Sequence, residues 1–117
     1  MTYINYEDFK KMDIRVGTIR EVSPVPDTDK LLICQVDFNE VDDLGNKKLR
    51  QIISGIHEFY PDYKKLINKQ VLYIVNLEPR TIKGYQSQGM LMAVDGIDGS
   101  PIFLIPEKDV NSGSVVR

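Results

Sequence analysis

The 117-residue chain has a single cysteine, Cys34, and a single histidine, His57. One cysteine excludes an internal disulfide framework and a cysteine-based zinc site. One histidine excludes a histidine-rich metal site within one chain. Neither a metal nor a cofactor is expected. No apolar run approaches the roughly 18 residues of a membrane span. The opening MTYINYEDFKKMD lacks the apolar centre of a signal peptide. A cytoplasmic chain without a membrane partner is expected. Catalytic signatures are missing too. There is no glycine loop ending in Lys-Ser/Thr and no G-x-S-x-G elbow. Ser54 and His57 lie three apart on an irregular turn, a spacing with no triad geometry of its own. Cys34 falls in the buried phase of a strand and reads as an inert core thiol. Asp42-Asp43 sits in a polar loop where solvation is the expected role. The sequence therefore argues against an enzyme.

What is present is ordinary globular composition, 42% hydrophobic and 27% charged. The length suits one domain over 1–117 with a core that needs no staples. The net charge is only -2, but it is unevenly spread. Lys47 to Lys83 holds eight basic residues against three acids, whereas the rest holds seven against fourteen. Such asymmetry fits either a basic footprint or an uneven solvated surface.

Asn5 is positioned to cap a short helix, Tyr6 to Met12, with Glu7 and Asp8 where the helix dipole favours acids. A strand is predicted over Ile14 to Val22, with a bulge or bend at Gly17. The second runs from Leu31 to Phe38, with Leu32, Cys34, Val36 and Phe38 on one face and Gln35 and Asp37 on the other. The acidic loop Asn39 to Asn46 leads to a third strand, Lys47 to Ile53. Pro61 opens a short helix, Asp62 to Leu66. A fourth strand, Gln70 to Leu77, is joined by the loop Glu78 to Ser87 to a fifth, Gln88 to Val94. Pro101 to Ile105 and Val115-Val116 are further short strand candidates. Three strands, a helix, then two strands is the order of an all-β, five-stranded Greek-key barrel of the oligonucleotide/oligosaccharide-binding (OB) type, with short helices and terminal extensions.

The informative segment is Asn76-Leu77-Glu78-Pro79-Arg80-Thr81-Ile82-Lys83-Gly84-Tyr85-Gln86-Ser87-Gln88-Gly89-Met90. In such barrels the loop between strands four and five borders the ligand groove. Arg80 and Lys83 can neutralise phosphates, or simply keep a loop soluble. Asn76, Ser87 and Gln88 can hydrogen-bond RNA. For Asn76 and Ser87 the competing role is shaping the loop. Tyr85 offers a stacking face or is an ordinary exposed aromatic. Met90 packs under a base or fills the core. Lys30 and Arg50 are candidate groove residues or members of ion pairs, and Arg15 reads as the ion-pair partner of Asp13.

This segment resembles the signature of the stand-alone tRNA-binding domain family, approximately N-L-x-P-R/K-x-x-R/K-G-x-x-S-x-G-M. That family includes the C-terminal or β-subunit domains of methionyl-tRNA synthetases, the endothelial-monocyte-activating-polypeptide type domains and the CsaA-like proteins. Three more blocks agree in order: Asp13-Ile14-Arg15-Val16-Gly17, Asp29-Lys30-Leu31, and Arg50 with Ile52-Ile53-Ser54-Gly55-Ile56. Leu104-Ile105-Pro106, Val110 and Gly113 are also family-like, so the resemblance spans essentially the whole chain. Glu78 and Thr81 depart from the family's more basic pattern, a loss that Lys64, Lys65 and Lys69 can make up. The resemblance implies non-catalytic, structure-specific tRNA binding, through Lys30, Arg50, Asn76, Arg80, Lys83, Tyr85, Ser87, Gln88 and Met90. It implies a homodimer whose interface includes Tyr6, Phe9, Met12, Ile102, Leu104, Val110 and Val115. An aminoacyl-tRNA synthetase of the methionyl type is the implied partner. A CsaA-like export chaperone binding unfolded peptides is the alternative.

Overall fold

A computed structural model describes residues 1–117. Helix α1, Tyr6–Lys10, is held at its start by the Asn5 side chain, whose Oδ1 accepts from the Asp8 amide at 2.8 Å. Five strands follow as one antiparallel sheet in the order β3-β2-β1-β4-β7. They are β1 Ile14–Pro24, β2 Leu32–Val41, β3 Lys47–Ser54, β4 Gln70–Ile74 and β7 Met90–Leu91. A 3₁₀ turn, Tyr63–Leu66, stands between β3 and β4 where a short helix is predicted. Two hairpins complete the set: β5 Arg80–Ile82 with β6 Tyr85–Ser87, and β8 Ala93–Asp95 with β9 Pro101–Phe103. The expected fifth strand is therefore split between β7 and β8, and the expected loop after β4 is itself a hairpin.

The sheet curls because β1 serves two partners. Its first half pairs with β4, Ile14 opposite Ile74 through Thr18 opposite Gln70. Its second half pairs with β2, Thr18 opposite Asp37 through Pro24 opposite Leu32. The edge left open along the first half is taken by the C-terminal tail. The Gly113 amide donates to Val16 O, the Val16 amide to Ser114 O and the Val116 amide to Ile14 O. The strand expected at Val115-Val116 is thus reduced to one bridge, Arg15 to Val115.

Alternation in β2 puts Leu32, Cys34, Val36 and Phe38 inside, against Ile19, Ile52, Val71, Tyr73 and Val75. Full burial of each such aliphatic side chain contributes about 1.5–3 kcal/mol. Phe38 and Tyr73 meet edge to face at 5.4 Å. Burial pushes the Cys34 thiol up to about 11, which keeps it protonated and inert near neutral pH.

Two features depart from the sequence reading. Gly17 is regular strand, and the bulge lies further on, between Ile19 and Glu21. Gly17 is needed for close approach instead: a Cβ there would sit 2.5 Å from Val36 Cγ1 and 2.7 Å from Phe38 Cε1. Asp37, on the face of β2 opposite Leu32, Cys34, Val36 and Phe38, is nevertheless fully buried. The bulge turns Arg20 toward it, and Lys47 reaches it from β3, at 3.2 and 2.8 Å. The Asn39 amide adds a third donor at 2.7 Å.

Burial opposes ionisation of Asp37, but the hydrogen bonds from Lys47, the Asn39 amide and Arg20 outweigh it and hold the carboxyl below its ordinary value. Glu40 is lowered too, chiefly by its hydrogen bonds from Arg50. Carboxyls with depressed folded-state pKa stabilise the fold above their unfolded values near 4, and that contribution is lost as pH falls through the folded values. The thermal midpoint is expected to hold level down to about pH 5 and to fall below about pH 4. Asp37→Asn should lower stability near neutral pH by about 1–3 kcal/mol and flatten the acid limb. An unchanged acid limb in Asp37→Asn would show that another group governs acid unfolding.

Candidate nucleic-acid interface

The β5–β6 hairpin turns at Lys83-Gly84, both with positive φ, 53° and 84°. A two-residue turn of that hand matches the twist of the strands it joins, and glycine meets the second position without strain. Lys83 is thereby fixed at the tip. Register places Arg80 opposite Ser87, Thr81 opposite Gln86 and Ile82 opposite Tyr85.

The hairpin is fastened to the edge of β3 by side chains standing in for strand backbone. Ser87, buried, accepts the Ile53 amide on Oγ at 3.0 Å and donates to Gly89 O at 3.3 Å. Gln88 gives its amide to Gln51 O at 2.8 Å and accepts the Gln51 amide on Oε1 at 3.1 Å. Gln51 Nε2 donates to Gln86 O at 3.0 Å. Arg50 completes the closure. Its guanidinium donates to both Glu40 carboxylate oxygens, at 2.7 and 2.9 Å, and to the carbonyls of Val75 and Gln88, at 2.7 and 3.2 Å. It lies 5.6 Å over the Phe38 ring.

Asn76, just after β4, ties this region to the N-terminal helix. Its Oδ1 accepts the Asp13 amide at 2.9 Å and its Nδ2 donates to Lys11 O at 2.6 Å. Both bonds of the loop-shaping reading are therefore present, as they are for Ser87. Arg15 pairs with Asp13 at 2.8 Å, and this hydrogen bond raises the guanidinium's pKa.

Of the remaining basic candidates, all but Lys65 are without an ion pair. Arg80 and Lys83 are exposed and make no ion pair, and neither does Lys30, whose carbonyl accepts the His57 amide across the turn after β3. Lys64 and Lys69 are exposed and unpaired, while Lys65 pairs loosely with Asp62 at 3.3 Å. Tyr85 is half-buried beside the turn. Met90, weighed as core, is about half exposed, at 48%. His57 packs edge-on to Tyr63.

The structure brings Arg80, Ser87 and Met90 around one cavity of about 160 Å³, with Ile53, Leu77, Glu78 and Ile82. The last four lay outside the sequence-derived site set. Leu77 is a motif position, whereas Ile82 falls at an open one, and the Lys-Gly turn lacks the Asn or Asp that usually marks a tight hairpin. Without the hairpin, Ile82 had no assigned face.

Residues 14–115 match the family described as "Putative tRNA binding domain". The chain belongs to this tRNA-binding domain family. It is 42% identical to the methionine–tRNA ligase of Pyrococcus horikoshii, across 100% of this chain and 15% of that ligase. The chain thus spans about 15% of the length of such curated relatives. Among solved structures, the methionyl-tRNA-synthetase-related protein of Pyrococcus horikoshii superposes with a TM-score of 0.86 at 28% identity, covering all of both chains. The CsaA chaperone protein of Picrophilus torridus gives 0.80 at 29% identity, covering 98% of this chain and 100% of that one. The curled five-stranded sheet is the OB-like barrel of tRNA-binding domains.

In this tRNA-binding domain, Asn76→Ala removes the donor and the acceptor that seat α1. A loss of about 1–2 kcal/mol in unfolding free energy is expected, with faster amide exchange in residues 6–12 and unchanged protection of β2 and β3. Uniform loss of protection would show that Asn76 supports the whole barrel.

Proposed function

We propose that the chain is a non-catalytic tRNA-binding module, one domain over 1–117, that holds folded tRNA on the β5–β6 hairpin face. The observation that carries this reading is the pair of ion-pair-free cations, Arg80 and Lys83, on a hairpin rigidly bonded to the barrel of a tRNA-binding domain. Lys30 and Tyr85 extend the contact surface. Arg50, Asn76, Ser87 and Gln88 act by holding that surface in shape. Phosphate and 2′-hydroxyl contacts suit recognition of tRNA by shape. Likeness to methionine–tRNA ligases supports a role beside a synthetase of that type in the cytoplasm. There the module raises the local concentration of tRNA.

Binding of total tRNA is expected to fall linearly in log[salt]. Arg80→Glu/Lys83→Glu should bind much more weakly, with a slope shallower by about 1–2. An unchanged slope would remove both residues from the phosphate contacts. Absence of tRNA binding by the wild-type protein at low salt would overturn the reading. The CsaA-like reading, supported by the likeness to that chaperone, would then lead, and unfolded peptides would bind in place of tRNA.

The module acts as a homodimer. Tyr6, Phe9 and Met12 stand exposed on and after α1, in a groove shared with Val115 and Val116 of the tail. Ile102 and Val110 are also exposed apolar side chains, and Leu104 is half-buried. Light scattering should give twice the chain mass, and Phe9→Glu/Val115→Glu should give the monomer. A wild-type monomer at the concentrations used for binding would exclude the dimer.

A further inference from the structure

Of the phosphate contacts just described only Arg80 borders the cavity beneath the β5–β6 hairpin, and its apolar interior is not used by them. Ile53, buried, and the more exposed Leu77, Ile82 and Met90 are its apolar lining, and we take Ile53 as its floor. Its volume is about 160 Å³. An apolar cavity of about 150 Å³ holds one benzene ring, so the volume matches a single six-membered ring. The polar atom nearest the floor, Ser87 Oγ, is already bonded to the Ile53 amide and Gly89 O. The floor therefore offers shape and apolar contact without a directional hydrogen bond. The rim is different: Arg80 and Glu78 both line it and both are exposed.

We infer that this cavity receives one unstacked nucleobase of the bound RNA, with the phosphate next to that base on Arg80. The inference rests on the RNA-binding reading above and names the part of the ligand that enters the site. Charge complementarity decides the occupant. A nucleotide carries its anionic group a short reach from its ring, which suits an apolar slot with an unpaired guanidinium at its mouth. An aliphatic peptide side chain fills the slot but leaves Arg80 without a partner. Glu78, which repels phosphate, faces the base instead, as an acceptor for a ring or exocyclic N–H. Because the volume matches one six-membered ring and the floor offers no hydrogen bond, an unstacked pyrimidine is favoured, with its N–H toward Glu78. Bases of this kind occur in the loops and bends of folded RNA.

The test compares pentauridylate with an abasic ribose-phosphate chain of the same length and charge, each competing against labelled total tRNA on the full-length protein. Burying about 55 Å² of ring surface corresponds to about tenfold in affinity, and pentauridylate is expected to win by about that factor. Leu77→Ala/Met90→Ala trims two walls that are 46% and 48% exposed, so the barrel stays folded. That variant should bind the two chains equally while keeping the salt slope of the wild type. Equal competition by both chains against the wild type would overturn the inference and leave tRNA binding standing. So would tRNA binding with no competition from either chain. Displacement of pentauridylate by a leucine-containing peptide that itself binds about tenfold more tightly would assign the cavity to a peptide side chain. Failure of the protein to bind tRNA at all would remove the RNA-binding reading and this inference together.

Discussion

Closure of the barrel depends on the Arg50 guanidinium. It joins β2 through Glu40, the end of β4 through Val75 O, and the segment after the hairpin through Gln88 O, while resting on Phe38. Four of the five N–H donors of an arginine are thereby engaged. Each acceptor would otherwise stand half-buried without a donor, at a cost of about 1–3 kcal/mol apiece. A lysine in its place has one charged centre and no planar fork, so it cannot span a carboxylate and two carbonyls at once. Seating of the hairpin on β3, and hence the shape of the cavity beneath it, follows from that closure.

The cations divide into two groups with different work. Arg15, Arg20, Lys47 and Arg50 are paired with Asp13, Asp37 and Glu40, and belong to the architecture. Lys30, Arg80 and Lys83 have no carboxylate within ion-pair distance, which under the proposed function leaves their charge for the RNA. Under the proposed function, these unpaired cations are what a chain of net charge -2 offers to an RNA phosphate. In the barrel wall four cations meet three acids, while the unpaired Lys30 and Lys83 lie on turns beside it and Arg80 on β5. Rigid fastening matters for the same reason, since a hairpin held by Ser87, Gln88 and Gln51 presents its charges with little ordering entropy left to lose on binding.

Much of this was legible in the residues. The Asn5 cap, the alternating inward face of β2, the Asp13–Arg15 pair and the succession of the first four strands along the chain each follow from local chemistry, because each depends on residues close in sequence. Where the reading departed, a distant neighbour decided the outcome. Gly17 carries the mark of a bulge, yet it serves the close approach of Val36 and Phe38 from another strand. Asp37 carries the mark of a surface position, yet the bulge at Arg20 and the reach of Lys47 turn it into a buried centre.

The sequence by itself determined where the first four strands lie along the chain, the core face of β2 and the motif that marks the RNA-binding family, since strand periodicity and spacing are carried by neighbouring residues. Only the tertiary structure decided which cations are spent and which are free. Arg50 finds acceptors 10, 25 and 38 residues away, and Asn76 finds its partners more than 60 residues back. Such pairings exist only once the sheet has curled, because an ion pair or a hydrogen bond acts over a few ångströms of space whatever the separation along the chain.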